Sequence, residues 1–318
     1  MNKLLVICGP TAMGKTSLGL ELAERFNGEI VSADSRQVYK GMDIATGKDL
    51  PVNSKQFRNS NFQIGYYLLD GVPVWMLDVA ESTESFSVAD YYALAFHVVE
   101  DILKRAKLPI IVGGTGFYIK VLVDGIDTLN IPPNRELRLA HETKSVDELF
   151  NILFHLDPEL ASNLNPSDRR NKVRLLRKIE IAQLDSVNSV LMNQSIKANE
   201  TLFIGLTASA DLLRGRINER IEGWIRQGAE EEVIKLLAKG VHWDAQSMNA
   251  IGYRQWKPYF EGKAKKEEII EKWKTDEWQY AKRQVTWFKK DSRVRWFDIT
   301  DPRWGEKVVK EVDRWYNV

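Results

Sequence analysis

The sequence predicts an α/β protein, a P-loop doubly wound parallel sheet core interrupted by a mainly helical insertion domain. Three observations predict it. Apolar runs of strand length at residues 4–8, 29–33, 75–79 and 109–112 alternate with helical periodicity over residues 1–124. Two of those runs lead into glycine turns, Gly9-Pro10-Thr11-Ala12-Met13-Gly14-Lys15-Thr16 and Gly113-Gly114-Thr115-Gly116. From Ile131-Pro132-Pro133 the alternation stops: residues 135–197 carry helical spacing, and an apolar run at 202–206 reads as a strand returning to the sheet. The chain therefore divides into residues 1–128 (first part of the core), 129–200 (helical insertion) and 201–318 (return strand and C-terminal helices).

The first strand delivers residues 9–16, which fit the phosphate loop G-x-x-x-x-G-K-[ST] at every fixed position. Its glycines let backbone N–H groups turn inward, and the helix over 17–26, with Leu18, Leu22 and Phe26 on one face, points its N-terminus at an anion. A di- or triphosphate is the expected ligand, as in ATP-binding and other nucleotide-binding proteins. Lys15 would reach its terminal phosphates, and the Thr16 hydroxyl would sit on Mg²⁺. Cys8, the single cysteine, lies in the strand and reads as a small core residue.

The second strand delivers Asp34-Ser35-Arg36-Gln37-Val38-Tyr39 to the same crevice. A carboxylate beside bound phosphates repels them, so Asp34 either binds Mg²⁺ or accepts a proton from the attacking group. An Asp capping a helix that starts at Ser35 fits the same spacing. Residues 61–79 carry two apolar runs split by Asp70-Gly71, a hairpin signal. After the strand at 109–112, adjacent glycines permit close backbone approach to a ligand, and Thr115 adds a hydroxyl.

Within the insertion, Leu149, Ile152 and Leu153, then Val173, Leu176, Ile179 and Ile181, keep helical spacing, and Asp157-Pro158 and Asn165-Pro166 mark turns or helix starts. Beyond the return strand, Arg216 and Arg220 stand four apart on one face of a long helix. The aromatic-rich C-terminal third reads mostly as core, with any exposed rings able to stack on unpaired bases.

An apolar share of 44% with ten Trp supports a sizeable core, and no stretch approaches 18 apolar residues. With one cysteine and no leader segment, a cytoplasmic protein with no membrane partner is expected. Four His and no paired Cys leave no zinc pattern. Net charge is only +1, but basic residues gather at 168–178 (Arg169, Arg170, Lys172, Arg174, Arg177, Lys178) and 282–295 (Lys282, Arg283, Lys289, Lys290, Arg293, Arg295). Such patches suit a phosphate backbone.

Together with the two glycine turns and the Asp34–Tyr39 segment, four further stretches recur in order: Gly41-Met42-Asp43-Ile44, Phe86-Ser87-Val88-Ala89-Asp90, Ile251-Gly252-Tyr253-Arg254 and Tyr280-Ala281-Lys282-Arg283-Gln284-Val285-Thr286-Trp287-Phe288. In this the chain resembles the tRNA dimethylallyltransferase (tRNA isopentenyltransferase) family from residue 7 to about 298. The resemblance implies transfer of a dimethylallyl group from dimethylallyl diphosphate to N6 of adenosine 37, next to the anticodon of tRNA, with Mg²⁺ as cofactor and a monomeric enzyme. It further implies Asp34 as base, Thr115 near the reacting centre, and Arg220, then Arg216, on the diphosphate. Contacts to the tRNA anticodon stem-loop would come from Asp34, Ser35, Arg36 and Gln37, from Thr115, from Val173, Arg174, Leu175, Leu176 and Arg177, and from Asn249, Ala250, Ile251, Gly252, Tyr253 and Arg254.

Three features depart from the family pattern. The usual Thr-Arg is replaced by Glu277-Trp278, Gly-Thr-Ala-Lys-Pro by Ala45-Thr46-Gly47-Lys48-Asp49, and residues 50–70 are an insertion. Two other readings use the same phosphate loop: an adenylate (mononucleotide) isopentenyltransferase and a P-loop small-molecule kinase. A non-catalytic RNA-binding module would leave the loop without a purpose.

Overall fold

The computed structural model describes residues 2–51, 54–58, 64–126, 128, 131, 133–183, 196 and 200–317. The chain divides into two compact units, residues 1–124 with 195–318, and residues 125–194. The first is built on one eight-stranded sheet. Its strands are β1 (Lys3–Cys8), β2 (Gly28–Ser32), β3 (Phe57–Arg58), β4 (Gly65–Leu69), β5 (Val72–Trp75), β6 (Leu108–Val112), β7 (Glu200–Thr207) and β8 (Val294–Asp298), in spatial order β3-β4-β5-β2-β6-β1-β7-β8.

From β5 to β8 all neighbours run parallel. Every residue of β1, β2 and β6 is buried, as expected of central parallel strands covered on both faces. At one edge the expected hairpin adds antiparallel pairs, β3–β4 and β4–β5, to the parallel core. The β4–β5 turn is the predicted Asp70-Gly71, both at positive φ (49° and 79°). The strand expected at 75–79 instead ends at Trp75, because Met76 (φ 67°) and Asp78 (φ 56°) leave extended geometry. Asp78 accepts hydrogen bonds there from Lys48 and from the Tyr67 hydroxyl, so the bend anchors residues 40–49 to the hairpin.

Helix α1 (Lys15–Arg25) starts at the lysine of the phosphate loop, and α2 (Val88–Lys104) is entered through a Ser87/Asp90 capping box. Helix α3 (Gly116–Asp124) follows the second glycine turn. A Cβ at Gly19 would come within 2.9 Å of Val112, so α1 lies close on the sheet.

The second unit is helical, as expected: α4 (Arg135–Ala140), α5 (Val146–Leu156), α6 (Pro158–Ser162), α7 (Pro166–Arg169) and α8 (Lys172–Ala182). Asp157 and Asn165 cap α6 and α7, each with proline in the first turn, which explains both punctuation marks in the sequence. Leu137, Leu149, Leu153, Ala161, Leu175, Leu176 and Ile179 form its core. Beside that core Glu180 is buried; it accepts from Arg138 Nε at 2.6 Å and Arg177 Nη1 at 3.0 Å. Residues 184–195 and 197–199, part of the expected insertion, lie outside the described residues.

The return strand β7 pairs with β1 from Lys3↔Glu200 to Cys8↔Gly205. After it come α9 (Ala210–Arg226), α10 (Ala229–Ala238), α11 (Lys257–Phe260), α12 (Lys266–Phe288) and α13 (Trp304–Tyr316). Of the C-terminal aromatics, Tyr253, Trp256 and Trp273 are fully buried, whereas Trp287 is 43% exposed. Among the described residues no helix is long and apolar enough to cross a membrane.

Candidate active site

Backbone hydrogen bonds carry the sheet's register past the strand ends. Gly113 N–H donates to Ile7 O at 3.1 Å, Ala33 N–H to Val112 O at 2.8 Å and Thr115 N–H to Ala33 O at 3.1 Å. This sets the phosphate loop, the Asp34 segment and the Gly-Gly-Thr turn around one cavity of about 730 Å³. Arg216 and Arg220 enter it from α9, and Glu277, Tyr280, Arg283 and Gln284 from α12.

In the loop, Thr11, Ala12, Met13, Gly14, Lys15 and Thr16 line the cavity. Met13 contributes backbone, since its side chain is 1% exposed in the core. Gly9 and Pro10 are buried behind them. A Cβ at Gly9 (φ 129°) would sit 2.6 Å from Leu206 O, so only glycine lets the loop turn this close to β7. Lys15 Nζ folds back on Pro10 O at 2.6 Å. Burial, then Arg220, lowers its pKa to about 8. Cys8 is the expected core residue: burial pushes its thiol up to about 12.

Both expected arginines reach the loop. Arg220 Nη1 donates to Thr11 Oγ1 at 3.4 Å and Nη2 approaches Asp49 Oδ2 at 3.3 Å, with the guanidinium 4.7 Å over the Trp224 ring. Arg216 Nη1 lies 3.5 Å from Ala12 O.

No helix begins at Ser35, which removes the helix-cap reading of Asp34. Instead Asp34 Oδ1 accepts from Arg36 N at 2.9 Å in a tight turn. Thr115 Oγ1 accepts from Ser35 N at 3.0 Å, so the threonine of the glycine turn fixes the segment that carries Asp34. Gln37 accepts from Ser32 Oγ at 2.8 Å and donates to Thr46 O and Gly47 O at 3.2 and 3.0 Å, tying in residues 45–49. Arg36 Nη1 donates to Gln246 O at 3.1 Å.

The expected tRNA contacts divide by burial. Asn249, Ile251 and Arg254 line the cavity with Asp34, Ser35, Arg36 and Gln37. Ala250, Gly252 and Tyr253 are buried instead: the Tyr253 hydroxyl donates to Glu232, and a Cβ at Gly252 would meet Trp273 at 2.6 Å. They shape this loop from within. On α8, Leu175 and Leu176 likewise belong to the core of the helical unit, while Val173 (68% exposed) and Arg174 face outward. Arg177 donates to Thr128 O and Ile131 O at 2.8 and 2.7 Å besides Glu180.

Sequence reasoning missed the four cavity residues of α12, Glu277, Tyr280, Arg283 and Gln284. Gln284 Oε1 accepts from Thr11 N at 2.9 Å and its Nε2 donates to Gly114 O at 3.0 Å, clamping one glycine turn to the other. Glu277 is 8% exposed, lines the cavity, and is pushed up to about 7, chiefly by burial. Gln284 stood in a quoted family stretch, and Glu277 stood out only as a departure from the pattern. Among the described residues no group of three or more His, Cys, Asp or Glu could hold a metal. Thr16 lines the cavity at the start of α1, and its hydroxyl would fit Mg²⁺, an ion that takes most of its ligands from phosphate oxygens and water.

Comparison with known proteins places this geometry. The family model described as IPP transferase matches residues 37–291. The chain is 39% identical over 311 residues to a tRNA dimethylallyltransferase of Anoxybacillus flavithermus, covering 98% of this chain and 95% of the relative. It is 38% identical to the tRNA dimethylallyltransferase of Bacillus subtilis, covering 97% and 95%. The crystal structure of a tRNA isopentenylpyrophosphate transferase from Bacillus halodurans aligns with TM-score 0.69 at 34% identity, over 100% of this chain and 96% of that one. A eukaryotic dimethylallyltransferase acting on tRNA aligns with TM-score 0.74 at 27% identity, over 95% and 75%. A chain with this phosphate loop, matched over nearly its whole length, belongs to the IPP transferase family.

Proposed function

We propose that this protein transfers the dimethylallyl group of dimethylallyl diphosphate to the exocyclic N6 of adenosine 37, beside the anticodon of its tRNA substrates. The observation that carries the reading is the cavity itself. Phosphate-binding groups (the loop, Lys15, Arg216 and Arg220) share it with a carboxylate, Asp34, held in place through Ser35 and Thr115. Tight relatives by sequence carry the name tRNA dimethylallyltransferase, which supports the same reading.

The loop recognises oxygens and charge, so it holds a diphosphate as readily as a nucleotide. As the allylic C–O bond breaks, charge grows on the departing diphosphate, and Lys15 and Arg220 are positioned to stabilise it. Mg²⁺, held through Thr16 and the diphosphate oxygens, would add further charge stabilisation there. Asp34 accepts the N6 proton as nitrogen attacks the cationic allylic carbon, a contribution typically of about 10² to 10⁴ in rate. The adenine must leave its stack to reach the cavity, which an anticodon loop permits. Arg36, Asn249 and Arg254 at the cavity wall supply polar contacts for the extruded nucleotide.

The test is incubation with dimethylallyl diphosphate, Mg²⁺ and bulk tRNA, followed by mass analysis of digested nucleosides. N6-isopentenyladenosine is the expected product. Prenylation of free AMP in preference to tRNA would move the protein to the mononucleotide class.

A further inference from the structure

Glu277 is out of place in an anion site. It sits on the inner face of α12, four residues from Trp273 and four from Ala281, both fully buried, and it lines the diphosphate cavity. Its side chain shares the cavity with Thr11 of the phosphate loop, Arg220 of α9, Lys15 of α1 and Asp34 after β2, and the charges of the last three act on it. Tyr280, one turn along α12, adds a half-buried phenol to the lining. Arg36, Asp49, Arg254 and Arg283, with Arg216 and Glu219 of α9, complete the charged lining.

A carboxylate here would repel a bound diphosphate, whereas a carboxylic acid would offer it a hydrogen-bond donor. We infer that Glu277 is a donor-substrate binding residue, taking up a proton when the diphosphate enters and donating a hydrogen bond from its carboxylic acid to a diphosphate oxygen. The inference rests on the diphosphate reading of the cavity above.

The cause is electrostatic. Burial raises the Glu277 pKa to about 7, against the opposing pull of Arg220 and Lys15. A diphosphate takes over those two cations and adds its own negative charge beside the carboxyl. Both changes favour the protonated form, so donor binding is coupled to proton uptake near neutral pH.

The experiment is isothermal titration of the full-length protein with dimethylallyl diphosphate, and separately with inorganic pyrophosphate, at pH 7.5. Buffers of different ionisation enthalpy yield the protons exchanged per ligand bound. Wild type, Glu277→Gln and Glu277→Thr are compared, so that proton exchange by the ligand and by Lys15 is common to all three. Wild type should take up as much as roughly 0.8 proton per diphosphate more than either variant, the fraction of a group of pKa about 7 that is ionised at this pH. The glutamine variant keeps a donor in the same place, so its affinity should stay within a few fold while its pH dependence between 6.5 and 8 flattens. Equal uptake by all three proteins overturns the inference and leaves the prenyl-donor reading intact. Failure of wild type to bind either ligand overturns that reading and this inference with it. The threonine variant, the residue of the family pattern, keeps the comparison open should the glutamine variant fold poorly.

Discussion

Arg220 of the α/β unit and Arg177 of the helical unit are both half-hidden cations, yet they are held differently. Arg220 makes two long contacts, 3.4 Å to Thr11 Oγ1 and 3.3 Å to Asp49 Oδ2, at the edge of an open cavity. Arg177 makes three shorter ones, to Glu180 Oε2 at 3.0 Å, Thr128 O at 2.8 Å and Ile131 O at 2.7 Å. A basic residue with a full set of protein partners organises its own unit, whereas one with loose partners is placed to exchange them for a ligand. The same division runs through both basic runs of the sequence. Arg293 is committed to Asp291 and Asp124, Arg295 to Glu311, and Arg169 lies 3.9 Å over the Phe150 ring, so much of the apparent phosphate-binding charge is structural.

Breaking the ligand side of this comparison gives the largest effects. Lys15→Ala removes the point charge nearest the leaving group and should cut single-turnover prenyl transfer by about 10³ or more while weakening donor binding. An unaltered rate would dissociate the phosphate loop from the chemistry. Asp34→Asn keeps the shape but cannot take a proton, and a loss of roughly 10² in the single-turnover rate at saturating tRNA is expected, with tRNA affinity within a few fold. A defect confined to affinity would make Asp34 a binding residue.

On the structural side, Glu180→Gln leaves Arg138 and Arg177 without their shared carboxylate. Amide hydrogen exchange along α5 and α8 should speed up by an amount equivalent to about 1–3 kcal/mol, with donor binding unchanged. The sign with pH is fixed. Burial pulls Glu180 upward, but the hydrogen bonds of Arg138 and Arg177 outweigh it and hold the folded-state pKa below the usual 4.5. The stabilisation is therefore present above pH 4.5 and is lost as pH falls through the depressed value, and the glutamine variant should lack that acid dependence.

The smallest effect sharpens the boundary between the two classes. Arg174 faces outward, with an exposed pair to Asp168 at 2.5 Å and a long contact to Ser167 Oγ at 3.5 Å, so Arg174→Ala should change stability by less than ~1 kcal/mol. It should also lower the salt slope of tRNA binding by about 0.7–0.9. An unchanged slope, measured across a salt series, would class Arg174 with the structural arginines.

What the sequence reveals follows the same physics. The phosphate loop, the strands before both glycine turns and the Asp70-Gly71 hairpin are local signals, each carried by a few consecutive residues, and each is where it was expected. The end of β5 at Trp75 is illegible because the positive φ at Met76 and Asp78 accompanies a Lys48–Asp78–Tyr67 network, whose members are distant in sequence. Leu175 and Leu176 fell within a stretch expected at the tRNA, but a helix turns every residue to a different side, and these two face the core. Glu277 and Gln284 reach the cavity only because α12 folds back on the loop some 270 residues earlier, a proximity no spacing encodes.

The central claim is that the loose cations of the cavity serve an allylic diphosphate. Thermal unfolding of wild type and Lys15→Ala with Mg²⁺ and either dimethylallyl diphosphate or ATP, each at equal concentration, tests it most directly. Dimethylallyl diphosphate should raise the wild-type Tm, by the equivalent of about 2.7 kcal/mol at a hundredfold excess over Kd, with a far smaller shift in Lys15→Ala and with ATP. A shift with ATP and none with dimethylallyl diphosphate would contradict the account and point to phosphoryl transfer.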